Sequence, residues 1–512
     1  MRKILSFFIN RIVFFLIPFL LQFSIIIALI FLLEEYIIFV YALMMIMALV
    51  LVTYVISNDD NPAYKIGWIV IMLSVPIFGA FVYLFYGGKR LPVVIKKRTE
   101  KIVEETKDLL ETDYEILEEI TGKDRMNGGQ ANYLELEGFP VYKNSDVKFL
   151  SSGQVKWEHL LNDLKKARHH IFLQYFIIRE GEMWASILHV LEKKAAEGLD
   201  VRVMFDDIGC LPSLPPHYER TLRAKGIKCN VINPLRVYRN FTMIQNNRDH
   251  RKMCIIDGYI GYVGGINLGD EYVNITSPYG KWRDCALRVE GDAVWTLTVS
   301  FFKNWMIYDD KKQTFEDYRP ENFMKHVEKR KGYVIPFEDS PLDYNDIGEN
   351  VYLNIINSAT KEIFITTPYL IPPNEIITAL TLAGRRGVDV RIVTPNIPDK
   401  KNIFLLTQSY YKKLLEAGVK IYQYTPGFIH SKTFVADGKV AVCGTINLDF
   451  RSLYLHFENA IWMYKSKAVL EMREDYLEGL EECHRITLEE VKQWKLIKKI
   501  WQGVLRIFAP LF

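Results

Sequence analysis

The sequence predicts two homologous α/β domains related by a pseudo-two-fold axis and preceded by an N-terminal transmembrane helical region. Three observations predict this. A string of residues from His250 to Asn267 recurs with the same spacing from His430 to Asn447. Around each copy the chain alternates strand-like and helix-like runs, which implies an α/β body. The first ninety residues hold three long apolar runs without a charge.

The repeated string carries its own chemistry. Its first copy reads H-R-K-M-C-I-I-D-G-Y-I-G-Y-V-G-G-I-N and its second H-S-K-T-F-V-A-D-G-K-V-A-V-C-G-T-I-N. Side chains at i and i+2 of a strand point the same way, so His250 projects with Lys252 and His430 with Lys432. Asp257 and Asp437 follow in register, then a glycine that breaks the strand, a return strand, and a Gly-small-Ile-Asn turn ending at Asn267 or Asn447. Such a hairpin presents a possible nucleophile, a point cation and a neutral amide donor to one anionic group. A phosphate suits that set.

The duplication extends beyond the motifs. I-F-L-Q-Y-F-I-I from Ile171 answers I-F-I-T-T-P-Y-L-I from Ile363, and G-L-D-V-R-V-M from Gly198 answers G-V-D-V-R-I-V from Gly387. A unit one domain long is far larger than a solenoid repeat. Two such halves can pair and bring both His-Lys-Asn sets to one seam. Downstream of each motif a carboxylate precedes an apolar strand: Asp284 in W-R-D-C-A-L-R-V and Glu458 in F-E-N-A-I-W-M. Each half thereby offers an acid to orient its own histidine.

The apolar runs Ile12 to Leu33, Tyr36 to Ile56 and Ile66 to Tyr86 are each near the ~20 residues that a membrane-crossing helix needs. Basic clusters lie at both ends of this region, Arg2, Lys3 and Arg11 before it and Lys89, Arg90, Lys96, Lys97, Arg98 and Lys101 after it. Both ask to be cytoplasmic, and three full crossings cannot satisfy both. The larger cluster places everything after Tyr86 in the cytoplasm. Thr99 to Ile120 reads as a charged amphipathic helix and Gly122 to Gly138 as a linker. The domains are then an anchor of two to three transmembrane helices (1–90), a charged helix and linker (91–138), two α/β domains (139–335 and 336–484) and an amphipathic C-terminal helix (485–512).

In that last helix Trp494, Ile497, Ile500, Trp501, Val504 and Phe508 oppose Lys495, Lys498, Lys499 and Arg506. It could lie on an anionic membrane or pack on the core. A formal charge of +3 on 512 residues gives no global case for nucleic acid. The six cysteines show no metal-ligand spacing and read as reduced, Cys254 and Cys443 being core fillers. Arg236, Arg239, Arg248 and Arg251 form a basic loop that could steer anionic headgroups. The remaining histidines, His456 included, receive no role.

The doubled H-x-K-x4-D-x6-G-[GT]-I-N resembles the phospholipase D superfamily, and nearly the whole chain resembles its bacterial cardiolipin synthase branch. N-P-A-Y-K-I-G-W, N-N-R-D-H-R-K, G-G-I-N-L-G-D-E-Y, G-F-I-H-S-K and G-T-I-N-L-D-F-R-S carry that likeness. The resemblance implies that two phosphatidylglycerol molecules give cardiolipin and glycerol through a phosphatidyl-histidine, with no metal or other cofactor. By family habit His250 is the nucleophile and His430 the acid and then the base. Lys252, Lys432, Asn267 and Asn447 hold the phosphoryl oxygens, Asp284 and Glu458 set the imidazole tautomers, and Asp257 and Asp437 act as scaffolding near the site. Cys285, after W-R-D, departs from the usual pattern.

Physical chemistry agrees on one point. Exchanging one diester for another is nearly energy-neutral, and no nucleotide-binding loop is present in the sequence. The expected partners are phosphatidylglycerol and anionic membrane lipids, with no nucleic acid, and the expected place is the cell membrane. A phospholipase D using water, or a transferase using another alcohol, shares the same motif chemistry. A nuclease leaves the apolar runs unexplained, and a relic scaffold predicts a damaged motif where both are intact.

Overall fold

The computed structural model describes residues 20, 23–24, 27–28, 36–58, 61–87, 93–234, 247–309, 311, 313–323, 331–342 and 345–511. The run Ile12 to Leu33 and the N-terminal basic residues fall largely outside that set, as do Arg236 and Arg239.

Two mixed sheets form the body. The first has spatial order Ser145–Leu150, Ala286–Gly291, Ile260–Gly264, Met253–Ile256, His170–Tyr175, Asp200–Asp206, Lys228–Ile232. The second runs Tyr333–Asp339, Glu458–Tyr464, Val440–Gly444, Thr433–Ala436, Glu362–Thr366, Asp389–Pro395, Lys420–Tyr424, with Cys483–Ile486 added at the edge. Strand for strand the order is the same. In each half the first motif strand lies antiparallel to one central neighbour (Phe172 opposite Ile255, Phe364 opposite Val435), while that neighbour pairs in parallel on its other side. The run of apolar residues in these strands fits burial on both faces.

The two sheets share a core. Phe172, Met253, Ile255 and Leu287 from one meet Phe364, Val435, Cys443 and Met463 from the other in a single buried cluster. Cys285 Sγ lies 3.7 Å from Cys443 Sγ there, both thiols free, so the departure at Cys285 is a matter of packing at the seam.

Three expectations need revision. The stretch 122–138 is no linker: Asp124 caps a helix, Arg125–Leu136, that buries Ala131 and Leu134 and accepts a hydrogen bond from Trp462 Nε1 at Gln130 Oε1, 3.0 Å. The charged helix upstream is broken, Val93–Thr106 being separated from Tyr114–Lys123 by a turn at 107–113. The third apolar run is not one helix. Val75 interrupts it, and Pro62–Ser74 and Pro76–Tyr86 fold back on each other. Tyr64 Oη donates to Gly87 O at 3.3 Å, the Trp68 and Tyr83 rings are 5.4 Å apart, and a Cβ on Gly79 would sit 2.6 Å from Ile71 O. At 1.5 Å per residue these arms are ~20 and ~16 Å long, short of a ~30 Å hydrocarbon core. Ile37–Ser57 is long and apolar enough to cross a membrane, and its Val55 packs into the hairpin.

Candidate active site

Each motif histidine leaves its own lobe. His250 N donates to Phe457 O at 2.9 Å, and His430 N donates to Arg283 O at 2.7 Å. The second contact continues a short parallel pairing of Gly427–Ile429 with Lys281–Arg283. Phe457 and Arg283 each immediately precede a carboxylate. The backbone dockings therefore deliver each ring to the acid of the opposite half: His250 Nδ1 to Glu458 at 2.9 Å and His430 Nδ1 to Asp284 at 2.7 Å. This corrects the expectation that each acid orients the histidine of its own half. The reason is register, because the residue before the motif pairs across the pseudo-two-fold seam.

The four groups are buried together. Glu458 and Asp284 are at most 1 % exposed, and Lys252 and Lys432 are each 1 % exposed. Burial pulls both histidines well below the usual imidazole range, against the opposing pull of their carboxylates. For the acids burial acts the other way, yet the facing imidazoles hold both below the usual carboxylate range. The pairs thus sit as neutral imidazole on carboxylate, with Nδ1–H donated and Nε2 left for chemistry.

Lys252 Nζ donates to His250 O at 2.6 Å, and Lys432 Nζ donates to His430 O. Burial lowers Lys252 to about 7 and Lys432 to about 8, and each is influenced by both Glu458 and Asp284. Lys252 also acts on Lys432's partner His430, so the two motifs form one electrostatic neighbourhood. An arriving phosphodiester anion favours the charged form of both lysines.

The other predicted residues divide. Asn267 is engaged as a brace, accepting from Ile177 N at 3.0 Å and donating to Tyr272 Oη at 2.8 Å. Asn447 is buried with its side-chain oxygen unpaired. Asp257 and Asp437 lie at the hairpin turns, past the whole motif strand. Asp257 accepts from Arg168 N, His169 N and His170 N, and Asp437 from Thr360, Lys361 and Glu362. They hold the outer end of the sheet and do not line the centre. Arg248 and Arg251 are not a steering surface either: both are buried, Arg248 on Asp206 and Arg251 on Asp249 and Glu338.

One residue escaped the sequence. His456 Nδ1 lies 3.8 Å from Glu458 Oε1, within ion-pair reach, and its ring 5.8 Å from that of His250, with both ring nitrogens buried and making no hydrogen bond. In the first half Trp282 holds the same place before Asp284 and packs on His430 at 5.3 Å. The clue was the alignment of W-R-D with H-F-E, where one partner is ionisable and the other is not. Donor atoms of His250, His456 and Glu458 fall within 4.8 Å of one another, a set that could hold a cation only by taking the histidine that must stay free.

Paired lobes, each lending a histidine to the other's carboxylate beside a buried ammonium, define a phosphodiester-exchanging enzyme of the phospholipase D type. Residues 160–277 and 352–478 match the family described as "Cardiolipin synthase, PLD-like domain", and residues 43–88 match "Phospholipase_D-nuclease N-terminal". The chain belongs to the cardiolipin synthase family, whose members are phosphatidyltransferases. It is 33% identical over 469 residues to a cardiolipin synthase of Alkalihalophilus pseudofirmus (89% of this chain, 90% of the relative) and 34% identical over 469 residues to one of Geobacillus thermodenitrificans (91% and 92%). An uncharacterized protein of Streptococcus mutans is 41% identical over 465 residues (90% and 99%). Among solved structures, the phosphatidylserine synthase of Haemophilus influenzae shares the fold, with TM-score 0.57, 14% identity, and coverage of 73% of this chain and 94% of that one.

Proposed function

We propose that this chain makes cardiolipin by moving a phosphatidyl group between two phosphatidylglycerol molecules. The observation that carries the reading is the reciprocal pairing of His250 with Glu458 and His430 with Asp284 across the seam. One phosphorus needs an in-line nucleophile and, opposite it, a proton donor, and two imidazoles from two lobes supply them.

The arriving phosphodiester anion favours the protonated form of His430, as it does that of the lysines. In the first step His250 Nε2 attacks phosphorus, the P–O bond to the headgroup glycerol breaks, and His430 delivers its Nε2 proton to the departing oxygen. Phosphatidyl-His250 remains. In the second, His430 takes the proton from a headgroup hydroxyl of another phosphatidylglycerol, that oxygen attacks phosphorus, and the P–N bond breaks. Lys252 and Lys432 stabilise the charge that builds on the non-bridging oxygens, with Asn447 beside them. Bond energy passes from ester to phosphoramidate to ester, so no other energy source is required. The burial of both lysines and both acids supports the reading, since a dry site favours an alcohol over water at the adduct. The cytoplasmic face of the cell membrane is the proposed place of action.

The test gives the purified full chain labelled phosphatidylglycerol in vesicles. Cardiolipin and glycerol in equal amounts are expected, with a phosphorus-labelled adduct on His250 that survives an alkaline quench and is lost in acid, and His250→Ala and His430→Ala inactive. Phosphatidic acid as the sole product would replace the reading with hydrolysis.

A further inference from the structure

The last helix, Leu496–Ile507, docks by a narrow side. Gln502 and Leu505 are its buried residues, and Gln502 Nε2 donates to Leu405 O at 3.2 Å. The opposite side is apolar and open. Leu496 and Ile497 are each 72% exposed, Ile500 55%, Trp501 47%, Ile507 43% and Val504 38%. At 100° per residue these six fall on one stripe, and the lobe's own core does not cover it. Core packing therefore takes up Leu505 and leaves the six residues of the stripe uncovered. Exposed Lys495 and Lys499 lie off the stripe, where ammonium groups reach headgroup level.

Two further contacts say what covers it. The helix runs into a turn, Ala509–Leu511, whose Leu511 packs into the cluster of Val55, Tyr64, Trp68, Met72 and Tyr83 formed by the crossing helix and the hairpin. A Cβ on Gly67 of the hairpin would meet Ile507 O at 3.4 Å. The stripe is thus continuous with the apolar anchor. The hairpin's base is in turn tied to the site: Asn61 Nδ2 donates to Tyr454 Oη at 3.0 Å, and in the same short helix, Phe450–Tyr454, Ser452 Oγ donates to Glu458 at 2.7 Å.

We propose that the stripe of Leu496–Ile507 lies in the headgroup–acyl boundary of an anionic bilayer beside the hairpin, and so holds the Glu458 side of the active site at the surface from which phospholipid enters. The charge at its margins and its junction with the anchor select a bilayer over a second copy of the chain. The inference concerns the mode of membrane contact and stands whichever lipid product the enzyme makes.

The test uses the full chain with Cys483→Ser, the five other cysteines being buried, and an environment-sensitive fluorophore on Ile500→Cys, reconstituted in vesicles of phosphatidylglycerol and phosphatidylethanolamine. Blue-shifted emission, quenched by bromine on the lipid chains and spared by aqueous iodide, is expected. Iodide quenching without bromine quenching would overturn the proposal, as would shielding of the fluorophore from both together with disulfide formation, on mild oxidation, between two unlabelled Ile500→Cys chains. A triple variant, Ile497→Ser, Ile500→Ser and Trp501→Ser, should keep its rate on detergent-dispersed substrate and lose about ten-fold on bilayers. Equal loss on both would mean that the helix only supports the fold.

Discussion

Glu458 and Asp284 pair with different histidines, and the two histidines need different things from them. A nucleophilic His250 needs the correct tautomer, whereas a proton-donating His430 needs its imidazolium stabilised. Glu458→Gln and Asp284→Asn should each lower kcat on phosphatidylglycerol by roughly 10²- to 10⁴-fold, the range known for such orienting acids. A phosphatidyl ester of p-nitrophenol separates them, because its leaving group departs without a proton. Asp284→Asn should regain the burst of nitrophenol release and Glu458→Gln should not; the opposite pattern would put the nucleophile on His430. Burial depresses His250, so the acidic limb of kcat/KM, where neutral His250 is lost, should lie below about 6.5. His456 contributes to that depression by its charge and by competing for Glu458. Replacing it with Phe, the kind of ring Trp282 supplies in the other half, removes both effects and should move the acidic limb to higher pH. An unmoved limb would leave His456 a packing residue. The motif histidines and the two acids were legible as side chains of the right kind at the right spacing. Which acid meets which histidine was not, since it depends on contacts between segments 208 and 146 residues apart.

The motif strand shows why a repeated aspartate can be mistaken for part of a site. Asp257 and Asp437 recur in register with the histidines, yet the intervening strand, Met253–Ile256 or Thr433–Ala436, separates the two ends by ~3.3 Å per residue. Their φ values of 49° and 54° put both in left-handed turns with a following glycine, and their carboxylates gather the amides that open the neighbouring strand. Loss of one charged hydrogen-bond acceptor costs ~1.5–3 kcal/mol, so Asp257→Ala, which strands three amides, should lower unfolding stability by at least about that much. The fraction that stays folded should retain its kcat, which thermal melts and active-site titration would check together. A kcat loss at unchanged stability would return Asp257 to the chemistry. Alternation and D-G dipeptides announced these hairpins directly. The helix Arg125–Leu136 was hidden because its three amides, Asn127, Gln130 and Asn132, and paired glycines mimic a linker, whereas burial of Ala131 and Leu134 and the hydrogen bond from Trp462 to Gln130 make it an ordered element.

At the scale of the molecule the anchor sets where the chemistry happens. Pro76 in the third apolar run was visible in the sequence, but a proline inside such a run signals only a kink. What turns the kink into a hairpin is pairing at a distance, Trp68 with Tyr83 and Tyr64 with Gly87, which no local period records. The consequence is topological. A hairpin that enters and leaves on one side predicts that Asn58, Asn61 and Gly87 share one face of the membrane, the face on which Asn61 holds Tyr454 of the second lobe. One crossing by Ile37–Ser57 would then put Tyr36 on the other face. If Ile12 to Leu33 crosses as well, the N-terminal basic cluster returns to the side of Lys96 to Lys101, and the two clusters no longer conflict. Single cysteines in a Cys483→Ser background decide the matter with a membrane-impermeant thiol reagent on whole cells. Tyr36→Cys should label from outside, while Ser57→Cys and Lys101→Cys should label only after permeabilisation. A straight third crossing predicts instead that Ser57→Cys labels in intact cells while Lys101→Cys stays protected, and that result would remove the hairpin from the membrane and the active site from the face to which it is tied.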